Sequence, residues 1–164
     1  MNKIILYIAC SIDGMIAREN GSVDWLDQFS NTSEDYGYHE FYKKIKNVIL
    51  GNKTYKQVLT FGEYPYKDKK SFIFSRKENS DDRFVKDTDF IKDLKGETWL
   101  VGGSILIEEF LKKNLIDEFI ISVMPLVLGK GIPLFRNMEV DLKLIDVVKY
   151  DSGVVQLKYI RKTF

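Results

Sequence analysis

Residues 4–9, Ile-Ile-Leu-Tyr-Ile-Ala, form an unbroken apolar run rather than an alternating one. This predicts a strand covered on both faces, as in the middle of a mostly parallel sheet. Residues 11–29 scatter Asp, Gly, Asn and Ser at short intervals and predict a long surface loop, which in a compact domain is usually functional. Over residues 33–46, Tyr38, Phe41, Tyr42 and Ile45 recur at helical spacing, with Thr32 or Ser33 as cap. Val48, Ile49 and Leu50 predict a short buried strand ending at Gly51, and NKTYKQVL then takes helical spacing. After the polar loop YPYKDKK come a strand at 71–74, a short helix near 90–94 and a strand at 98–101. At Gly102 and Gly103 the pattern turns into a helix over 104–111, with Ile105, Leu106, Phe110 and Leu111 available for packing.

From Phe119 the chain changes character. Three strand-like runs, 119–124, 141–150 and 154–161, follow with no helix between the last two, and the turn at 150–153 makes those two a β-hairpin. Strand and helix alternate in the body and antiparallel strands close the tail. The expectation is an α/β protein with a mixed, mostly parallel sheet, a C-terminal hairpin and helices on both faces, over a single domain spanning 1–164. No internal repeat or low-complexity linker interrupts it.

Composition narrows the function classes. Apolar residues make up 45% and charged residues 30% of the 164, the balance of a globular chain rather than a disordered one. With 25 Lys and Arg against 24 Asp and Glu, the net charge of +1 gives no field for holding DNA or RNA, so an anionic ligand must be small and locally bound. The single cysteine, Cys10, excludes an intrachain disulfide and is expected as a small buried apolar group, and no Cys/His cluster offers a zinc site, so no metal is expected. The N-terminal apolar run is too short to span a bilayer, and Asp13 follows it. A cytoplasmic protein with no membrane partner is expected.

Three strand ends carry anion chemistry. In TWLVGGSILIEEFL, two glycines join a buried strand to a helix, which bares backbone N–H groups in the positive potential of the helix dipole. That suits a diphosphate, although a tight strand-to-helix turn needs glycine for steric reasons as well, and the three-glycine Rossmann pattern is absent. Gly51-Asn52-Lys53-Thr54 is a second such junction, with a hydroxyl and a charge at the helix start. Ser75 and Arg76 end a third strand with a hydroxyl and a guanidinium, at the sheet edge where open α/β folds bind ligands.

Taken in order, IACSIDGMIA, VDWL, VILGNKTY, FIFSRK, WLVGGSILIEEFL and DEFIISVMPLVLGKGIPLF make the chain resemble the dihydrofolate reductase superfamily over nearly its whole length. The branch is that of small stand-alone proteins similar to the reductase domain of the bifunctional riboflavin-pathway deaminase/reductase. The resemblance implies NADPH as cofactor. It sets Ala9, Ile16 and Ala17 against the nicotinamide ring, and Gly51, Lys53 and Thr54 along the phosphates and ribose. Ser75 and Arg76 fall at the adenosine 2′-phosphate, and Gly102, Gly103, Ser104 and Ile105 at the pyrophosphate. Asn52 departs from the pattern, which usually has arginine after that glycine. Related stand-alone proteins pair as homodimers, and the apolar run from Phe119 to Leu128 predicts surface for such an interface.

The substrate side is open. The resemblance puts Asp35 where dihydrofolate reductases carry a pocket carboxylate, and its spacing to Tyr38 and Phe41 sets it on the apolar face of the predicted helix. There it can be desolvated, its pKa raised enough to handle a proton. Equally, Thr32 and Asp35 have the spacing of a capping box, and acids are common in a helix's first turn. His39 is expected on a neighbouring face, and Asp13 as a turn residue hydrogen-bonded within its own loop. Trp25, Phe29, Tyr36 and Tyr38 offer aromatic walls for a flat heterocycle, or core. Three functions fit: an NADPH-dependent reductase of a pterin- or dihydrofolate-like heterocycle, a reductase of a pyrimidine intermediate as in riboflavin biosynthesis, and a nucleotide-binding protein without catalysis.

Overall fold

The computed structural model describes residues 2–162. In chain order its elements are β1 (Asn2–Ser11), β2 (Met15–Ala17), α1 (Asp27–Ser30), α2 (Tyr38–Lys44), β3 (Ile45–Gly51), α3 (Asn52–Thr60), β4 (Lys70–Phe74) and β5 (Phe84–Val85). Then come β6 (Gly96–Gly102), α4 (Ser104–Lys112), β7 (Glu118–Met124), β8 (Ile132–Pro133), β9 (Leu142–Lys149) and β10 (Val155–Arg161). Short 3-10 turns lie at Asp24–Leu26 and Asp89–Asp93.

One sheet of eight strands runs in the order β5-β4-β3-β6-β1-β7-β10-β9, and β2 pairs with β8 in a small antiparallel sheet. The first six strands of that order are mutually parallel, whereas β10 is antiparallel to both β7 and β9. This is the mixed, mostly parallel sheet with a terminal hairpin that the patterning predicts. Gly153, at φ +88°, turns the hairpin, and its N–H donates to the Tyr150 carbonyl at 3.0 Å.

The unbroken apolar runs of β1, β3 and β6 are explained by cover on both faces. On one face Ile4, Leu6, Ile49, Leu100 and Phe119 pack against Leu106, Ile107, Phe110 and Leu111 of α4. On the other, Ile5, Val48, Leu50 and Trp99 meet Phe41 of α2, with Tyr55 and Val58 of α3 partly buried against them. A smaller cluster of Trp25, Phe29, Met124 and Val154 fills the end beside β10. Cys10 is buried, and burial pushes its thiol pKa up to about 11, so it behaves as an apolar filler.

Two local expectations change. The helix predicted over 33–46 is shorter, Tyr38–Lys44, because Tyr36 at φ +55° and Gly37 at φ +75° take left-handed conformations that no helix can include. Residues 32–35 instead fold on themselves, as Ser, Thr and Asp do when their side chains compete for backbone groups. The loop predicted over 11–29 contains β2, a 3-10 turn and α1.

The surplus apolar surface is also elsewhere than expected. Phe119, Ile121 and Met124 are buried in β7, between β1 and β10. It is β9, the edge strand, that exposes Leu144, Ile145, Val147 and Val148, each 38% exposed or more. A bulge between its partners Lys158 and Tyr159 leaves Ile145 unpaired in that ladder.

Glu118, only 4% exposed, sits between Lys3 and Lys158, whose Nζ lies 2.9 Å from its Oε1. Burial pushes its pKa up, but hydrogen bonds and charge from the two lysines outweigh that and hold it below the ordinary value. The folded pKa is therefore below the unfolded one, about 4.3, so the stabilisation is complete above that pH and is lost as pH falls through the folded pKa. Glu118→Gln leaves two half-exposed lysines that can turn to water. It should cost about 1–2 kcal/mol at pH 7 and flatten the decline of melting temperature on acidification, both read by thermal denaturation across pH 3–7.

Candidate active site

The sheet sets the site through its strand ends. In the register of β3 with β6, Leu50 faces Gly102, so the chain leaves both strands at the same level. Each strand then enters a helix of nine residues, α3 after Gly51 and α4 after Gly103. The two turns touch: a Cβ on Gly51 would lie 3.6 Å from the Gly102 carbonyl, and one on Gly103 would lie 3.4 Å from Thr54 Oγ1. Gly102, at φ +121°, takes a conformation that side chains rarely adopt, and its bond to Gly103 is cis. Two helix N-termini, with their free N–H groups and positive dipole ends, thus converge on one spot.

There the chain leaves a cavity of about 470 Å³. Ten residues singled out from the sequence line it: Ile16, Ala17, Gly51, Lys53, Thr54, Ser75, Arg76, Gly103, Ser104 and Ile105. Three do not. Gly102 lies directly behind the wall, Ala9 packs at the edge of the Trp25 cluster, and Asp35 is outside the cavity. Residues that sequence reading passed over complete the lining. Gln57 and Glu109 lie three and four residues beyond Thr54 and Ile105 on their helices, a spacing that could have found them. Lys86 and Arg136 follow strands of only two residues, β5 and β8, too short to leave a pattern.

Four cations, Lys53, Arg76, Lys86 and Arg136, therefore face one cavity against one carboxylate, Glu109. Lys86 pairs with the exposed Glu78 at 3.1 Å, and Arg136 lies 4.0 Å from Glu108. The cavity is a local positive field in a chain of almost no net charge, and it fits a small polyanion.

Its outer wall is fastened by loop contacts. Asp13 accepts the N–H groups of Leu128 at 3.0 Å and Gly129 at 2.8 Å, and Ser11 Oγ at 2.6 Å. The Ser11 hydrogen bond, then those amides, lower its pKa. Gly131 approaches so closely that a Cβ would meet the Ala17 carbonyl at 2.4 Å. These contacts lock β2 to β8 and set Ile16, Ala17 and Ile132 against the cavity. Gln57 Nε2 donates to the Gly21 carbonyl at 2.7 Å, tying the same loop to α3.

Asp35 differs most from expectation. Its carboxylate accepts the Gly37 N–H at 3.0 Å and the His39 N–H at 3.1 Å, and these backbone bonds hold its pKa below the ordinary value. It is exposed, and caps the start of α2. The raised pKa expected of a desolvated acid does not occur here.

Comparison with known proteins agrees with this architecture. An Enterococcus faecalis dihydrofolate reductase complexed with NADP(H) superposes with a TM-score of 0.69 at 14% identity, covering 98% of this chain and 97% of that one, so the fold is that of dihydrofolate reductase. A Thermotoga maritima diaminohydroxyphosphoribosylaminopyrimidine deaminase/5-amino-6-(5-phosphoribosylamino)uracil reductase shares it, with a TM-score of 0.72 at 16% identity over 98% of this chain and 57% of that one. Nearer in sequence is a Shewanella sp. PV-4 protein described as belonging to riboflavin biosynthesis, 29% identical with a TM-score of 0.86 over 98% and 99% of the two chains. YwjB, an uncharacterised protein of Bacillus subtilis strain 168, is 43% identical over 97% of this chain and 98% of its own length. Residues 89–156 match the RibD C-terminal domain. The chain belongs to one family with YwjB, carries the dihydrofolate reductase fold and matches the RibD C-terminal domain over its second half.

Proposed function

We propose that the protein is an NADPH-dependent reductase that transfers hydride to a small planar heterocycle of the pterin or dihydrofolate kind. The observation that carries this reading is the cavity at the paired glycine turns, with four cations in its lining. The residues present fit the cofactor. Gly51 and Gly103 keep side chains out of the space between the helix N-termini, where a pyrophosphate is held by N–H groups, Thr54 and Lys53. Ser75, Arg76 and the neighbouring Lys86 suit a 2′-phosphate. Ile16 and Ala17, held by the β2–β8 pairing, are the apolar surface for a nicotinamide ring, with Ala9 of β1 outside the cavity lining. When bound, NADPH supplies the hydride, and the chain supplies orientation and exclusion of water.

A pyrimidine intermediate, as the uracil reductase activity in the name of the Thermotoga maritima protein suggests, is the second reading, favoured by the RibD C-terminal match. With Asp35 committed to capping, the proton comes from water or from the substrate itself. The protein works as one domain in the cytoplasm, as a homodimer joined through the exposed apolar edge of β9, since a long apolar edge strand is otherwise a template for uncontrolled pairing.

Arg76→Ala should weaken NADPH roughly ten- to a hundredfold, the scale of a charge-assisted hydrogen bond, and leave NADH almost unchanged in a fluorescence titration. Equal losses for both cofactors would remove the 2′-phosphate assignment. The heterocycle is found by following NADPH oxidation over a substrate panel that includes dihydrofolate; with a turned-over compound in hand, Asp35→Asn should keep its rate and NADPH affinity while the melting temperature drops slightly. A fall of about a hundredfold in kcat would instead return Asp35 to acid–base work. Light scattering at tens of micromolar should give twice the 19.1 kDa chain mass, and a monomer mass would overturn the pairing.

A further inference from the structure

Two side chains in the cavity lining are out of place in a site built only for anions. Ile105, in the first turn of α4, is 68% exposed although Leu106 beside it is buried. Glu109 sets a carboxylate among four cations, where it weakens the hold on any phosphate close to it. The two are four residues apart, so they share one face of α4 at about 6 Å along its axis. An apolar patch followed by a carboxylate fits a flat ring that presents a hydrogen-bond donor at its edge.

The position of Glu109 along the cavity narrows which ring. Its Oε1 accepts from Lys113 Nζ at 3.0 Å, and the same Nζ donates to Thr88 Oγ1 at 3.1 Å, two residues beyond Lys86. The Ser75 N–H donates to the Val85 carbonyl at 3.0 Å, which sets Ser75 and Arg76 beside Lys86. Phe74, just before them, stands edge-on to Phe110 of α4 with ring centroids 5.7 Å apart. Glu109 therefore belongs to the end of the cavity that holds Ser75, Arg76 and Lys86. In a dinucleotide whose 2′-phosphate lies on that trio, the nearest ring is the base on the same ribose, and the donor on that base is the 6-amino group of adenine.

We propose that Glu109 determines which base the cofactor site accepts, its carboxylate taking a hydrogen bond from the adenine 6-amino group while Ile105 carries the face of the purine. The inference rests on the NADPH reading and adds to it the choice of base. An oxo group in place of the amine turns a donor into an acceptor against a carboxylate, so a hypoxanthine dinucleotide is repelled where adenine gains a charge-assisted bond. The pair with Lys113 leaves room for this, because a carboxylate accepts several donors and both side chains of the pair are half exposed.

The test compares NADPH with reduced nicotinamide hypoxanthine dinucleotide phosphate, in which an oxo group replaces the 6-amino group, by titration of the nicotinamide fluorescence that both share. The parent should bind NADPH about tenfold more tightly. Glu109→Gln leaves an amide that can accept from an amine or donate to an oxo group, so the preference should fall to about twofold or less. Loss of a negative charge by itself would strengthen both dinucleotides by one factor and keep their ratio, which separates reading of the base from the field of the cavity. Thermal melts check that the variants fold, and Glu109→Ala, which offers neither base a partner, should likewise bring the two affinities to within about twofold. Parent affinities that already lie within about twofold, or a parent preference that survives in the folded variants, would overturn the proposal and leave Glu109 as the partner of Lys113 alone. A parent that binds neither dinucleotide would strike the NADPH reading itself, and this inference with it.

Discussion

Right-handed crossovers run in opposite directions from the two strands at the middle of this sheet. From β1 the chain passes through α2 to β3, and from β3 through α3 to β4, moving toward one edge each time; from β6 it passes through α4 to β7, moving toward the other. Since the hand of a crossover is fixed, reversing its direction puts the helix on the opposite face. Accordingly α2 and α3 cover one face and α4 the other. Between β3 and β6 no helix can close the sheet end, and a crevice is left where the two directions part. The glycine turns, the convergent helix N-termini and the cavity all follow from that one reversal.

A crevice alone would be an open notch. The long segment after β1 and the segment after β7 close it because each supplies what the other lacks: Asp13 brings acceptors to the free amides of Leu128 and Gly129, and Gly131 gives the space that the Ala17 carbonyl needs. The wall is therefore made by polar and steric fit between loops together with burial of Ala17 and Leu134. That is consistent with its position at the sheet edge, where backbone groups without strand partners need satisfaction.

What the sequence made legible follows from how far each signal reaches along the chain. The parallel body was readable because cover on both faces leaves continuous apolar runs, and much of the cavity lining because a glycine between strand and helix is a local signal, as at Gly51 and Gly103. Lys86 and Arg136 were hidden because two-residue strands carry no period. Asp35 misled for a related reason. Spacing from Tyr38 and Phe41 assumes one continuous helix, and the left-handed pair Tyr36 and Gly37 breaks that phase. Only Gly37 hinted at it, since a tyrosine gives no warning of a positive φ.

The charge around the cavity ties site to stability. Lys53, Arg76, Lys86 and Arg136 share one concave surface, and the field in such a surface is focused by its low-dielectric walls. Glu78 and Glu108 neutralise Lys86 and Arg136 only in part, since the first pair is largely exposed and the second is at the limit of contact. An anion placed in the cavity would meet all four of these side chains at once, and because it would bind the folded chain and not the unfolded one, it would stabilise the fold in step with its affinity.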